Sequence, residues 1–287
     1  MLTVLTPAKL NLVLEVLGKR DDGYHEIRSL VQTINLYDKL NFELASDISL
    51  ECTEPALKIA DNLVIRAAEL LKKAVAYQGG TRITLKKKIP SSAGLGGGSS
   101  DAAATLLALN KLWDLELATP HLLELAAQLG SDVPFFIHKG AALVEGRGEK
   151  VTPLLPAASA YWFVLLLPPL PEMTDKTKQA YTQLKKQHFT DGTLTARATK
   201  LWANSREIKP ALTFNVFDSV AFDIFPALNV YWKRFEQAGA TNIHLAGSGP
   251  TLFSLAPDRN SATALYQRII AQDITSYIVV STTDSGT

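Results

Sequence analysis

An α+β fold in two domains is what this sequence predicts, and three observations carry it. The chain has 287 residues and is 47% hydrophobic, enough for two cores of ordinary domain size. Its first half opens on strand-like alternation and then turns helical, whereas its second half is dominated by helical patterns with short strands between them. A Pro/Ala-rich junction at Pro153–Ala158 separates the halves, so domains over residues 1–155 and 156–287 are expected.

Strands are expected at Leu2–Leu5 and Leu10–Leu17, with Pro7-Ala8-Lys9 between them. In the second, Leu10, Leu12, Leu14 and Val16 alternate against Asn11, Val13, Glu15 and Leu17. After turn residues Gly18–Gly23, Tyr24-His25-Glu26 leads into a β region over Ile27–Leu36. Tyr37-Asp38 breaks it, and it resumes at Lys39–Leu44 and Ile48–Cys52. Asp61-Asn62 caps a helix whose apolar residues, Leu63 to Val75, keep the 3.6-residue period and which stops at Gly79-Gly80. Thr81–Ile89 is a strand and Asp101–Trp113 a buried helix. Thr119–Leu129 is another helix, with proline at its second residue and Gly130 as its C-cap. Ala141–Glu145 and Tyr161–Leu167 follow as strands. Helical patterns then cover Asp175–Gln187, Leu194–Ala203, Ala227–Ala238 and Asn260–Ala271. Strands at Asn242–Leu245, Thr251–Leu255 and Tyr277–Ser281 make up a small antiparallel sheet.

The stretch Pro90-Ser91-Ser92-Ala93-Gly94-Leu95-Gly96-Gly97-Gly98-Ser99-Ser100-Asp101 lies between a strand and a helix, which a flexible linker would not. Four glycines in five positions let backbone N–H groups approach a ligand that any Cβ would hold away. Ser99 or Ser100 is a suitable N-cap, and a helix start adds unpaired donors and about half a positive charge. The ligand should therefore be an anion such as phosphate, with the serine hydroxyls beside it for phosphate oxygen or Mg²⁺. The lysine that follows the last glycine of a P-loop is missing, the dinucleotide fingerprint fails because its last position is Ser99, and no H-R-D or D-F-G occurs.

Net charge is +1 and only Lys86-Lys87-Lys88 clusters, which argues against nucleic-acid or membrane-surface binding. The single cysteine, Cys52, rules out an internal disulfide, and no Cys/His cluster has zinc spacing. The N-terminus has no charged leader and no apolar run long enough to span a bilayer, so a cytoplasmic protein is expected. Asp132 precedes Val133-Pro134-Phe135-Phe136, apolar neighbours that would desolvate its carboxylate, although Asp before Pro is also an ordinary turn residue. Gly247-Ser248-Gly249-Pro250-Thr251 joins two strands, either as a plain hairpin turn or as a second loop facing the first.

Taken together, Pro7-Ala8-Lys9-Leu10-Asn11-Leu12, the loop Pro90–Ser100 with Asp101-Ala102-Ala103, and Gly247–Thr251 resemble the three motifs of the GHMP kinases. Gly18-Lys19-Arg20-Asp21-Asp22-Gly23-Tyr24-His25 and Asp132–Phe136 look like the branch that phosphorylates a cytidine-diphosphate-linked methylerythritol. The resemblance implies a ribosomal-protein-S5-like N-terminal domain, a ferredoxin-like C-terminal domain and a cleft between them. It implies ATP and Mg²⁺ as co-substrate and metal, and a chain that acts as a monomer or weak homodimer. It makes Lys9 and Asp132 catalytic, and Pro90, Ser91, Ser92, Ala93, Gly94, Leu95, Gly96, Gly97, Gly98, Ser99 and Ser100 the ATP-binding residues. Asn11, Tyr24, His25, Lys87 and Phe189 would contact the acceptor. Another GHMP kinase, for homoserine or a sugar, and a non-catalytic nucleotide sensor are the competing readings. Tyr24-His25 argues against the first, and Lys9 with Asp132 argues against the second.

Overall fold

A computed structural model describes residues 1–57 and 61–282. Two antiparallel strands of unusual length organise the first half: β1, Leu2–Lys19, and β2, His25–Ala45. Each was expected as two pieces. Pro7 and Tyr37-Asp38, read as interruptions, instead stand opposite each other at a bulge, where the ladder shifts register between Pro7 and Ala8 and continues.

A second bulge, between Asn11 and Val13, sets which side chains share a face. One extra residue reverses the parity of the pleat. Ala8, Leu10, Leu12 and Val13 therefore pack into one core with Leu30, Ile34 and Leu36, whereas Leu14 and Val16 enter the other core with Ile27, Val31, Leu40 and Phe42. The uniform alternation expected over Leu10–Leu17 is thus split at Leu12. Lys9 and Asn11 end up on the same face as Leu14.

Along the chain there follow β3 (Ser49–Cys52), α1 (Leu63–Ala74), β4 (Gly80–Lys86), α2 (Gly97–Leu112), α3 (Thr119–Leu129), α4 (Val133–His138), β5 (Ala141–Gly146) and β6 (Lys150–Leu154). The N-cap of α1 is Asn62, whose Oδ1 accepts from the Val64 amide at 2.9 Å. The C-terminal half of β2 pairs with β4 and its N-terminal half with β5, which in turn pairs with β6. The strand β6 occupies part of the stretch expected to be a junction. Cys52, at the end of edge strand β3, is buried and unpaired.

The second half contains β7 (Trp162–Leu166), α5 (Lys176–Gln183), α6 (Thr193–Ser205), β8 (Phe214–Asn215), α7 (Ala221–Ile224), α8 (Leu228–Gln237), β9 (His244–Leu245), β10 (Leu252–Ala256), α9 (Arg259–Ile270) and β11 (Ser276–Val280). The order β11-β7-β10-β9 makes the small antiparallel sheet that was expected. The two-residue strand β8, which has no periodic signal, leaves this half to pair in parallel with Val13 and Leu14 of β1. It is held by Asn215 Nδ2, which donates to the carbonyls of Leu245 and Gly247. Among the described residues no helix is long and apolar enough to cross a membrane.

Candidate active site

The glycine-rich loop is fixed to the sheet by its backbone. The Lys9 amide donates to the Leu95 carbonyl at 2.9 Å, so β1 continues straight into the loop's hydrogen bonding. Helix α2 starts three to four residues earlier than it would with Ser99 or Ser100 as its cap. Its N-cap is Gly96, in the left-handed region at φ +73°, and the first amide with an intrahelical acceptor is that of Ser100, to Gly96 at 2.9 Å. Ser99, Ser100 and Asp101 therefore belong to the helix itself. The amides of Gly97, Gly98 and Ser99 remain available to an external acceptor at the positive end of the helix dipole.

The glycines also have a structural role that the sequence did not indicate. A methyl at Gly94 would lie 1.9 Å from the carbonyl oxygen of Ala246, one at Gly96 would lie 2.9 Å from the Phe136 ring, and one at Gly97 would lie 2.9 Å from Ile89 Cγ2. Only at Gly98 is there ordinary room, with Leu63 Cδ1 at 3.6 Å. The loop thus packs backbone to backbone against Ala246–Gly249, which makes the second glycine loop a wall of the same site.

Beneath the loop lies a buried charge cluster. Asp101 accepts from Thr6 Oγ1 at 2.7 Å and from Lys87 Nζ at 3.0 Å, and Lys87 Nζ also donates to Asp38. Asp38 accepts from the Ile89 amide as well, at 2.8 Å. Burial pushes the Asp101 carboxyl up to about 6, Lys87 pulls it down, and Asp38 adds to the rise. Lys87, expected at the acceptor, lies at the base of the loop. Its side chain is 3% exposed and committed to two carboxylates at the base of the loop.

Lys9 and Asp132 do meet. Lys9 Nζ donates to Asn11 Oδ1 at 2.6 Å and stands 3.5 Å from Asp132 Oδ2. Asn11 in turn donates to Ser29 Oγ at 2.8 Å, which fixes the amide's orientation. Asp132 occupies the N-cap position of α4 without making a side-chain capping bond, so its carboxylate is free of that duty. The expected desolvation is absent: α4 turns Val133, Pro134, Phe135 and Phe136 into the core, while the Asp132 side chain is 48% exposed against 7% for Lys9.

Tyr24 and His25 follow the turn. Tyr24 is 52% exposed, and its ring lies under the Arg147 guanidinium at 5.0 Å. The His25 ring stacks on Tyr181 at 4.9 Å and 25°, and meets Phe189 edge-on at 5.9 Å and 69°. Burial, and then the Lys19 charge, lower the His25 pKa, which keeps its imidazole neutral at pH 7. Tyr181 was missed in the sequence because it lies inside a helical stretch with no motif. Burial first and the Asp132 carboxylate second push its phenol pKa up, and its ring, stacked on His25, also meets Phe217 edge-on at 5.0 Å. Lys176 was also missed; its Nζ bonds the carbonyls of Ser92 and Gly249.

Fold and site define a small-molecule kinase of the GHMP class: the family of GHMP kinases N terminal domains matches residues 62–140, and that of GHMP kinases C terminal domains matches residues 199–274. A 4-diphosphocytidyl-2-C-methyl-D-erythritol kinase from Dehalococcoides mccartyi strain BAV1 is 43% identical over 279 residues, which cover 97% of this chain and 98% of that one. The crystal structure of a 4-(cytidine 5'-diphospho)-2C-methyl-D-erythritol kinase superposes with a TM-score of 0.80 at 34% identity, covering 98% and 99% of the two chains. A homoserine kinase from Cytophaga hutchinsonii shares the fold, with a TM-score of 0.71, 20% identity and coverage of 98% and 94%. The chain belongs to the 4-diphosphocytidyl-2-C-methyl-D-erythritol kinase family.

Proposed function

We propose that this protein transfers the γ-phosphoryl group of ATP to the 2-hydroxyl of 4-diphosphocytidyl-2-C-methyl-D-erythritol. The observation that carries this reading is the pairing of Lys9, whose amide is bonded to the glycine-rich loop, with a half-exposed Asp132. Phosphoryl transfer needs donor and acceptor held in line and charge neutralised on the equatorial oxygens. The amides of Gly97, Gly98 and Ser99 meet the donor's charge without reorganisation. Asp132 takes the proton of the attacking alcohol, worth roughly 10²–10⁴-fold in rate, and Lys9 holds that alcohol and its carboxylate in one geometry.

The residues present fit Mg²⁺. Ser100 Oγ is buried in the first turns of α2 with no hydrogen-bond partner, and it offers a hard oxygen donor of the kind this ion takes alongside phosphate and water. Among the described residues no group of three His, Cys, Asp or Glu side chains could hold a metal, so Ser100 and ATP would share the ion. When bound, Mg²⁺ supplies charge neutralisation on the phosphates.

A coupled ADP-release assay offering the cytidine diphosphate acceptor, mevalonate, homoserine and galactose in parallel tests the assignment. Turnover with the cytidine compound alone is expected, and preference for any of the others overturns it. Two variants test the subsites. His25→Ala is expected to lose about 1–3 kcal/mol in kcat/KM for the cytidine substrate, the scale of base–aromatic stacking. The Kd for ATP should stay constant in a protein with an unchanged thermal melt, and equal losses in both constants would make His25 structural. At the loop, Gly97→Val should lower Tm and ATP affinity together because Ile89 and Lys87 fill the space it needs. Gly98→Val should weaken ATP with little change in Tm. Calorimetry showing normal ATP binding by Gly98→Val would remove the first turn of α2 from the nucleotide site.

A further inference from the structure

Lys176 begins α5 in the second half of the chain, yet its ammonium is buried against the first half. Its Nζ donates to the Ser92 carbonyl at 2.9 Å and makes a second, short bond to the Gly249 carbonyl. The next residue, Thr177, shares a hydrogen bond of 3.2 Å with Ser248 Oγ. One turn of one helix is thereby bonded to both glycine-rich loops, at the seam where Gly94 leaves no room for a side chain and Gly247 lies close to the Gly94 carbonyl.

The charges around this ammonium are uneven. Lys9 on β1 acts on it with like charge, and Asp132 is already paired with Lys9. Glu54 is engaged by Ser91 Oγ at 2.8 Å. Glu172 and Asp175 lie on its own segment, Glu172 lining the same cavity of about 160 Å³ with Ser91 and Ser92. No carboxylate forms a salt bridge with Lys176 among the described residues. Its two acceptors are neutral carbonyls, bonds that are strong chiefly because the donor is charged.

We propose that Lys176 is a positioning residue for the donor phosphates: its ammonium clamps the Ser92 and Gly249 carbonyls and so holds the phosphate loop in place against the second glycine loop. The inference rests on the loop being the ATP site. It explains why a lysine is buried without an acidic partner, since the loop it braces is the one that receives a polyanion. Burial, and then Lys9, bring the Lys176 pKa down to about 8. The clamp is therefore charged at pH 7 and loses its charge as pH rises through that value. Linkage requires the converse: bound ATP holds the proton on Lys176.

The experiment is calorimetric titration of ATP with magnesium into wild type, Lys176→Arg and Lys176→Met, from about pH 6.5 to 9.5, spanning the groups that titrate there. Wild-type affinity is expected to fall about tenfold across the alkaline limb, the scale of losing charge assistance in a hydrogen bond. Lys176→Arg, charged throughout, should bind well and lose the limb. Lys176→Met should bind about tenfold more weakly at pH 7 and also lack the limb. A limb that persists in either variant, or wild-type affinity in Lys176→Met, overturns the proposal, and the arginine variant decides alone if the methionine variant does not fold. Wild type that binds no ATP at any pH overturns the kinase reading and this inference with it. Wild type that binds ATP while the variants match it at every pH overturns this inference only.

Discussion

Asp132→Asn is expected to lower kcat by at least about 10²-fold while leaving the Kd values for ATP and acceptor near wild type. The amide keeps the size and position of the carboxylate, and Asp132 makes no capping bond whose loss could disturb α4. What it removes is the proton acceptor for the attacking alcohol. Lys9→Met should produce a loss of similar size, because the ammonium lies 3.5 Å from that carboxylate and bridges it to Asn11. The double variant should fall well short of the product of the two losses, since groups that act as a unit are not additive. Single-turnover rates with saturating ATP read the chemical step directly. Wild-type turnover by Asp132→Asn would remove the base from the mechanism and leave positioning and the loop amides to account for the rate.

Lys87→Met should destabilise the fold by about 3–5 kcal/mol, the cost of stranding buried charge. Its Nζ is bonded to Asp38 and Asp101, and neither carboxylate can reach water without opening the junction of β2, β4 and α2. Methionine matches the side chain's length but donates nothing, so two carboxylates face each other with only Thr6 and the backbone amides at Lys88 and Ile89 as donors. Denaturant unfolding measures the loss. The double variant Lys87→Met, Asp101→Asn leaves one carboxylate in place of two, and it should be more stable than Lys87→Met alone. A Lys87→Met protein with unchanged stability and a raised KM for the acceptor would instead restore Lys87 to the substrate site.

Much of this fold could be read from the pattern of residues because the patterns are local. The 3.6-residue period of Leu63–Ala74, the proline that opens α3 and the short apolar run of β10 each depend on neighbours in sequence. The joining of β1 and β2 into unbroken strands could not be read in the same way. Pro7 is tolerated because the ladder shifts there, and that shift depends on Tyr37, thirty positions away. The parity reversal at Leu12 has the same origin. In the site, the charged pair of Lys9 and Asp132 was legible through motifs. The buried pairing of Lys87 was not legible because three adjoining lysines look alike until Asp38 and Asp101 select one of them. Tyr181 and Lys176 were invisible because α5 has an ordinary polar helical sequence, and only the packing of the two halves gives those two side chains their neighbours.

Cys52 gives this protein a built-in reporter of its own motion. It is the chain's single thiol, it is shielded at the end of edge strand β3, and the residues just after it are tied to the site: Thr53 Oγ1 accepts from the Lys87 amide and Glu54 from Ser91 of the glycine loop. A thiol reagent reaches the sulfur only when this margin of the sheet lifts. The labelling rate of the unaltered sequence therefore reports how often the loop's outer anchorage comes undone, with no substitution needed, and comparing that rate with and without nucleotide converts the seating of a ligand into a chemical clock.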